Sequence, residues 1–158
     1  MTISRRALVV VIGAALLAGW VWGWRACTEI DNTKILRVIE DGREAIQDKS
    51  IRGVMGLLAP DYRDNLGLTA ESVKPMLQRL FLGVEAIQID LANLSPPAIH
   101  DGTAEVSLDV AVSGSLQGQP IYLMGTPGKR ARVTLALVRD DRRWLVREVQ
   151  GLRLPELE

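Results

Sequence analysis

The chain has 158 residues, 47% of them apolar and 24% charged, and its nineteen basic and nineteen acidic side chains cancel. This composition excludes intrinsic disorder as the default, and the balanced charge gives no bulk attraction for nucleic acid. A single cysteine, Cys27, excludes an intramolecular disulfide, so the fold must stand on its core.

Ala7 to Trp24 is an eighteen-residue run without a charge, preceded by Arg5 and Arg6 and closed by Arg25. At ~1.5 Å per residue it gives roughly 27 Å of helix, enough to cross most of a hydrocarbon layer of about 30 Å. Trp20, Trp22 and Trp24 crowd one end, as amphipathic rings do at a membrane interface. No small-residue cleavage site follows, which favours a retained anchor over a removed signal peptide. The arginines before the run predict a cytoplasmic N-terminus with the rest of the chain outside: in a bacterium, a single-pass inner-membrane protein with its C-terminal domain in the periplasm. The expected division is an anchor over residues 1–28 and a domain over residues 29–158. Arg25 interrupts the small residues that a lipid attachment at Cys27 would need; an inert thiol is preferred to that and to an intermolecular disulfide.

Asp31-Asn32-Thr33 offers capping oxygens before a helical pattern of Ile35, Leu36, Ile39, Ala45 and Ile46, ending near Asp48. Ser50 caps a second helix with Ile51, Val54, Met55 and Leu58 on one face, and Pro60 stops it. Pro60 to Gly67 is rich in turn formers. A third helix follows, with Val73, Met76, Leu77, Leu80, Phe81 and Val84. Ser72 is preferred to Thr69 as its cap because Thr69 would leave Pro75 beyond the first turn. Gly83 ends it.

The period then changes to two. Ile87, Ile89 and Leu91 mark a strand, and Pro96-Pro97 and Asp101-Gly102 separate it from the longest alternation in the chain, Thr103 to Ser113. There Ala104, Val106, Leu108, Val110 and Val112 form an apolar row against Thr103, Glu105, Ser107 and Asp109. Ile121 to Met124 is a short apolar run, Ala131 to Leu137 alternates again, and Arg143 to Gln150 gives a last strand after an Asp140-Asp141-Arg142 turn. Helices first and antiparallel strands after define an α+β plan.

A long helix, a short one closing on Gly56-Leu57-Leu58-Ala59-Pro60-Asp61-Tyr62, a third helix, a curved antiparallel sheet and a final strand opening Asp140-Asp141-Arg142-Arg143-Trp144-Leu145-Val146 resemble the nuclear transport factor 2-like (NTF2-like) superfamily, of cystatin-like fold. The resemblance implies three helices packed on a curved antiparallel sheet in a cone, over Ile35 to about Leu154. The superfamily contains enzymes such as ketosteroid isomerase as well as binding and dimerisation modules. Tyr62, Asp64 and Asp109 are residue types that an isomerase pocket uses, but the tyrosine expected in the first helix is missing.

Motifs for other chemistries do not occur. His100, the only histidine, lies in a turn beside Asp101-Gly102, and no metal-ligand spacing, phosphate loop or nucleophile elbow is present. No metal or cofactor is expected. Tyr62 and Asp64, with Trp144, are the candidate ligand-binding residues. Charge is divided along the chain: Lys129 to Arg153 has eight basic and three acidic residues, whereas Ile30 to Gly128 has eight and thirteen. Arg130 and Arg132 are expected to face Glu105 and Asp109 as an acid-and-base interaction face. These features favour a membrane-anchored, extracytoplasmic binding or assembly module over catalysis, in a layout similar to bitopic assembly factors of type IV secretion systems. Its expected partners are the bilayer and an envelope protein or a second copy through the sheet, with no nucleic acid. The alternative is a small isomerase- or cyclase-like enzyme, which requires a buried carboxylate within hydrogen-bond reach of Tyr62 in an apolar cavity.

Overall fold

The structure, a computed structural model, describes residues 30–153. The apolar run Ala7 to Trp24, its flanking Arg5 and Arg6, the residues Trp20, Trp22 and Trp24, and Cys27 lie outside the described residues. Among those described, no helix is long and apolar enough to cross a membrane.

Helix α1 covers residues 30–47, so Asp31, Asn32 and Thr33 are helical where the sequence suggested a cap. Ile35 and Ile39, one turn apart, are its buried anchors. Helix α2, Ile51–Leu57, starts as expected: the Gly53 amide donates to Ser50 Oγ at 3.1 Å. Helix α3, Ala70–Gly83, starts at Thr69 and not Ser72. Ser72 serves instead as the third helical residue, its hydroxyl oxygen accepting from the Thr69 amide at 2.8 Å. Pro75 therefore sits inside the helix and costs it one backbone hydrogen bond, offset by burial of Val73, Leu77 and Phe81 along one stripe.

Between α2 and α3 the expected turn is a strand. β1 covers Leu58–Asp64 and lies at the sheet edge, where the missing N–H of Pro60 can be tolerated. The other strands are β2 (Ile87–Ala92), β3 (Ala98–His100), β4 (Thr103–Leu116), β5 (Gln119–Met124), β6 (Ala131–Asp140) and β7 (Arg143–Gln150). The order is β1-β7-β6-β4-β2, with β3 and β5 also on β4. The sheet is mixed, not antiparallel: β1 runs parallel to β7. Nearly the whole domain connects these two strands, so no hairpin constrains their direction.

β4 is longer than its alternation suggested. It pairs with β6 from Thr103 to Val110, and after a register shift at Val112 and Ser113 it pairs with β5 on the way to Leu116. On its other edge β3 gives way to β2. Ala104, Val106, Leu108 and Val110 are buried, and with Ile35, Ile39, Val133, Leu137 and Trp144 they make one core cluster. A second cluster joins α3 to β1 and β2 through Tyr62, Val73, Leu77, Phe81, Val84 and Ile87. The apolar row of β4 thus receives α1, while α3 covers the β1 and β2 margins.

Candidate active site

Strand geometry brings Tyr62 and Asp64 together. Alternate residues of β1 share a face, so both side chains point inward while Asp61 and Arg63 point to solvent, where Arg147 Nε meets Asp61 Oδ2 at 2.8 Å. Tyr62 is packed in the cluster with Val73, Leu77 and Phe81 of α3. Asp64, only 8% exposed, is the one buried charged residue among those described.

Each Asp64 oxygen has its own task. Oδ1 accepts from the amides of Leu66 and Leu68, both at 2.9 Å, which folds the chain back beyond β1. Oδ2 accepts from the Tyr62 hydroxyl at 3.4 Å, longer than the usual hydroxyl hydrogen bond. Burial, then the charge and hydrogen bond of Asp64, push the Tyr62 phenol well above the ordinary tyrosine range. It therefore stays a neutral donor. A carboxylate with one oxygen fixed by backbone and the other beside a protonated phenol can hold or pass a proton at Oδ2, and the phenol can donate to a developing oxyanion.

Trp144 does not join this pair. It is 2% exposed in the α1–β4 core, with the Arg139 guanidinium 6.0 Å from its ring centre. That position corrects its reading as a ligand platform: the inward face of β7 beside the β6–β7 turn faces core and leaves the ring no open side.

The interaction face is only half as expected. Asp109 and Arg132 are opposite one another in the β4–β6 register, and Arg132 Nη1 donates to Asp109 Oδ1 at 2.8 Å. Asn93 Nδ2 also reaches Asp109, at 2.7 Å, and with Arg132 it holds that carboxyl below the usual range. Glu105, by contrast, lies opposite Ala136 and Ala98. Arg130 turns to Asp90 of β2, with Nε at 3.0 Å from Oδ2. Asp90 escaped the sequence reading because its nearness to Arg130 depends on β2 and β6 flanking β4. Its outward place in the β2 alternation was the available signal. His100 is exposed and 3.1 Å from Asp101 Oδ2.

A groove of about 520 Å³ lies on the polar face of the sheet, lined by Gln88 and Asp90 of β2, Ser113 of β4, Tyr122 of β5, and Thr126, Lys129 and Arg130 beyond it. Among the described residues no three His, Cys, Asp or Glu side chains gather as a metal site.

No protein-family model and no curated protein matches the chain. Solved structures do. A protein from Novosphingobium aromaticivorans, provisionally described as a scytalone dehydratase, superposes with a TM-score of 0.69 at 14% identity, over 79% of this chain and 85% of its own. A hexachlorocyclohexane dehydrochlorinase of type 2 gives 0.64 at 15% identity, over 78% and 84%. A conserved protein from Planctomyces limnophilus gives 0.68 at 14%, over 78% and 96%. The domain thus has the NTF2-like fold, with three helices on a curved mixed sheet. These findings correct the expectation of a module without catalysis. Structures that share the fold are described as enzymes. Of the two conditions set for the enzymatic alternative, the buried carboxylate within reach of Tyr62 is present, whereas the phenol packs against Val73, Leu77 and Phe81 and neither Tyr62 nor Asp64 lines the groove.

Proposed function

We propose that this chain is a small enzyme of the isomerase or lyase kind, with Asp64 as base and Tyr62 as oxyanion donor. Asp64 Oδ2 takes a proton from a carbon next to a carbonyl. The C–H electron pair moves onto the carbonyl oxygen, where the Tyr62 hydroxyl stabilises the charge. The proton then returns at another carbon, or a group on the β-carbon leaves with the electron pair. The observation that carries this reading is the 3.4 Å approach of a buried phenol and a buried carboxylate on one strand face. The long separation suits a pair that tightens only around a substrate. The neighbours described as a dehydratase and a dehydrochlorinase support the elimination branch. The apolar run Ala7 to Trp24 supports a membrane tether that holds the domain outside the cytoplasm.

The test is turnover by the purified full chain on β-hydroxyketones, for elimination, and β,γ-unsaturated ketones, for isomerisation. Asp64→Asn keeps the shape and the Oδ1 acceptor but removes the base, and lowers kcat by roughly 10² to 10⁴. Tyr62→Phe lowers it by about 10 to 10³. Both variants remain folded at the assay temperature. No turnover by the native chain, or equal turnover by Asp64→Asn, rejects the assignment.

A further inference from the structure

The outward side chains of the sheet fall into two groups. Over much of the face they satisfy one another: Arg132 and Asn93 with Asp109, and Ser107 with Thr134, whose hydroxyl oxygens are 3.1 Å apart. Around the groove Arg130 pairs with Asp90, but the other outward side chains do not pair. Gln88, Ser113, Tyr122, Thr126 and Lys129 line it, and their side chains form no hydrogen bond or ion pair with another described residue. Hydroxyl, amide and ammonium donors thus converge on one cavity while the neighbouring polar groups are already paired. A volume of about 520 Å³ is within the usual range for a small-molecule site.

One wall of the groove is built as a tight turn. The Thr126 amide donates to the Lys129 carbonyl at 2.9 Å and the Lys129 amide returns a bond of 2.9 Å to Thr126. Between them stand Pro127 and Gly128, the latter at φ +76°, the residue order that a type II turn demands. Gly125, also at φ +76°, lets the strand end approach closely, since a Cβ there would meet the Lys129 carbonyl oxygen at 2.7 Å. The backbone that carries Lys129 and Thr126 is therefore fixed before any ligand arrives, which leaves only their side chains to be ordered on binding.

Charge selects the ligand class. Lys129 and Arg130 bring two positive charges and Asp90 one negative charge, already paired with Arg130. The surplus of one matches a monoanion, whereas a phosphate dianion would exceed it and meet Asp90. Tyr122, 42% exposed, and Ile89 offer apolar surface beside the donors. We propose that this groove binds a small organic monocarboxylate, its head held by Lys129 with the hydroxyls of Thr126 and Ser113 and its body lying along Tyr122.

The site is independent of Tyr62 and Asp64, and so is its test. Benzoate is titrated into the ¹⁵N-labelled full chain, with benzyl alcohol and inorganic phosphate as comparisons. The amides of Gly128, Lys129 and Arg130 shift saturably with benzoate, and Lys129→Ala weakens binding about three- to tenfold, the range for an exposed charge-assisted contact. Lys129→Gln, which keeps the stem, weakens it similarly, and Asp64→Asn leaves it unchanged. The proposal is overturned if benzoate gives no saturable shift, if benzyl alcohol or phosphate binds as tightly as benzoate, or if both Lys129 variants bind as the native chain does.

Discussion

The Tyr62 hydroxyl and Asp64 Oδ2 lie 3.4 Å apart on the inward face of β1, with the phenol ring against α3 and the second carboxylate oxygen held by two backbone amides. The pair therefore has a structural and a chemical role, and the two respond differently to pH and substitution. The Tyr62 phenol is raised in the folded state, so the folded chain holds its proton at a pH where the unfolded chain has released it, and stability falls as pH rises above about 10. Below that value the contribution is fully present. Urea unfolding from pH 7 to 11 should show this alkaline loss in the native chain and a flatter limb in Tyr62→Phe, which gives up only about 1 kcal/mol at pH 7. An identical alkaline limb in both proteins would remove Tyr62 as its source.

Asp64 separates its two oxygens by substitution. Alanine leaves the Leu66 and Leu68 amides without their acceptor, at a cost of roughly 1–3 kcal/mol, more if the turn beyond β1 opens. Asparagine can present its carbonyl oxygen to the same amides and should recover most of that loss. Denaturant midpoints of the two variants decide the point, and equal destabilisation would mean that the amide contacts are not what the carboxylate contributes.

The strand carrying this pair was the least legible part of the sequence. Tyr62 and Asp64 could be named as candidates by residue type, but Pro60, Asp61 and Asp64 are turn formers, and only pairing with the distant β7 makes the segment extended. Without that strand the i, i+2 relation that puts both side chains on one face could not be seen. The β4 row was readable because burial on one face writes a period of two into the sequence, whereas its last residues follow β5 and carry no such signal. The α3 cap differs for a similar reason: the local cost at Pro75 favours Ser72, but Ser72 accepts from the Thr69 amide as the third helical residue, and the helix starts a turn earlier. Alternation put Arg132 and Asp109 on one sheet face, but partners are set by register and strand order, so Glu105 stands opposite Ala136 and Arg130 reaches Asp90.

Trp144 tests the larger core cluster. At 2% exposure, among Ile35, Val106 and Leu137, its replacement by alanine empties a large volume and should cost about 3–5 kcal/mol. Because the ring is on the core side of the sheet and the groove on the polar side, benzoate binding should persist wherever the variant is folded. Chemical denaturation measures the first effect, and loss of benzoate binding in a folded variant would contradict the separation of the two faces.

Asp109 is held below the ordinary carboxyl range by Asn93 and then Arg132, so its contribution is present above the unfolded value of about 3.9 and is lost as pH falls through the lower folded value. Asp109→Asn should therefore be less stable than the native chain at pH 7, with the difference narrowing in acid and in 1 M salt, because the site is exposed to screening. Thermal melts at pH 7 and pH 3, with and without salt, give the comparison. A difference insensitive to both would point to packing and not to charge.

The proposed tether makes its own prediction about where the chemistry occurs. Eighteen uncharged residues behind Arg5 and Arg6 reach most of the way across a hydrocarbon layer, and positive flanks orient such a run with its N-terminus in the cytoplasm. In a bacterial host the full chain should remain in the membrane fraction after alkaline carbonate extraction. Alkaline phosphatase fused after Arg153 should then be active, because it matures outside the cytoplasm. Replacing two residues near the centre of the run, such as Ala14 and Leu16, with arginine costs about 2.5–3.5 kcal/mol each for insertion and should release the chain from the membrane. Release of the unaltered chain by carbonate, or an inactive phosphatase fusion, would place the domain elsewhere, and the substrates of Asp64 and Tyr62 would then be sought in that compartment.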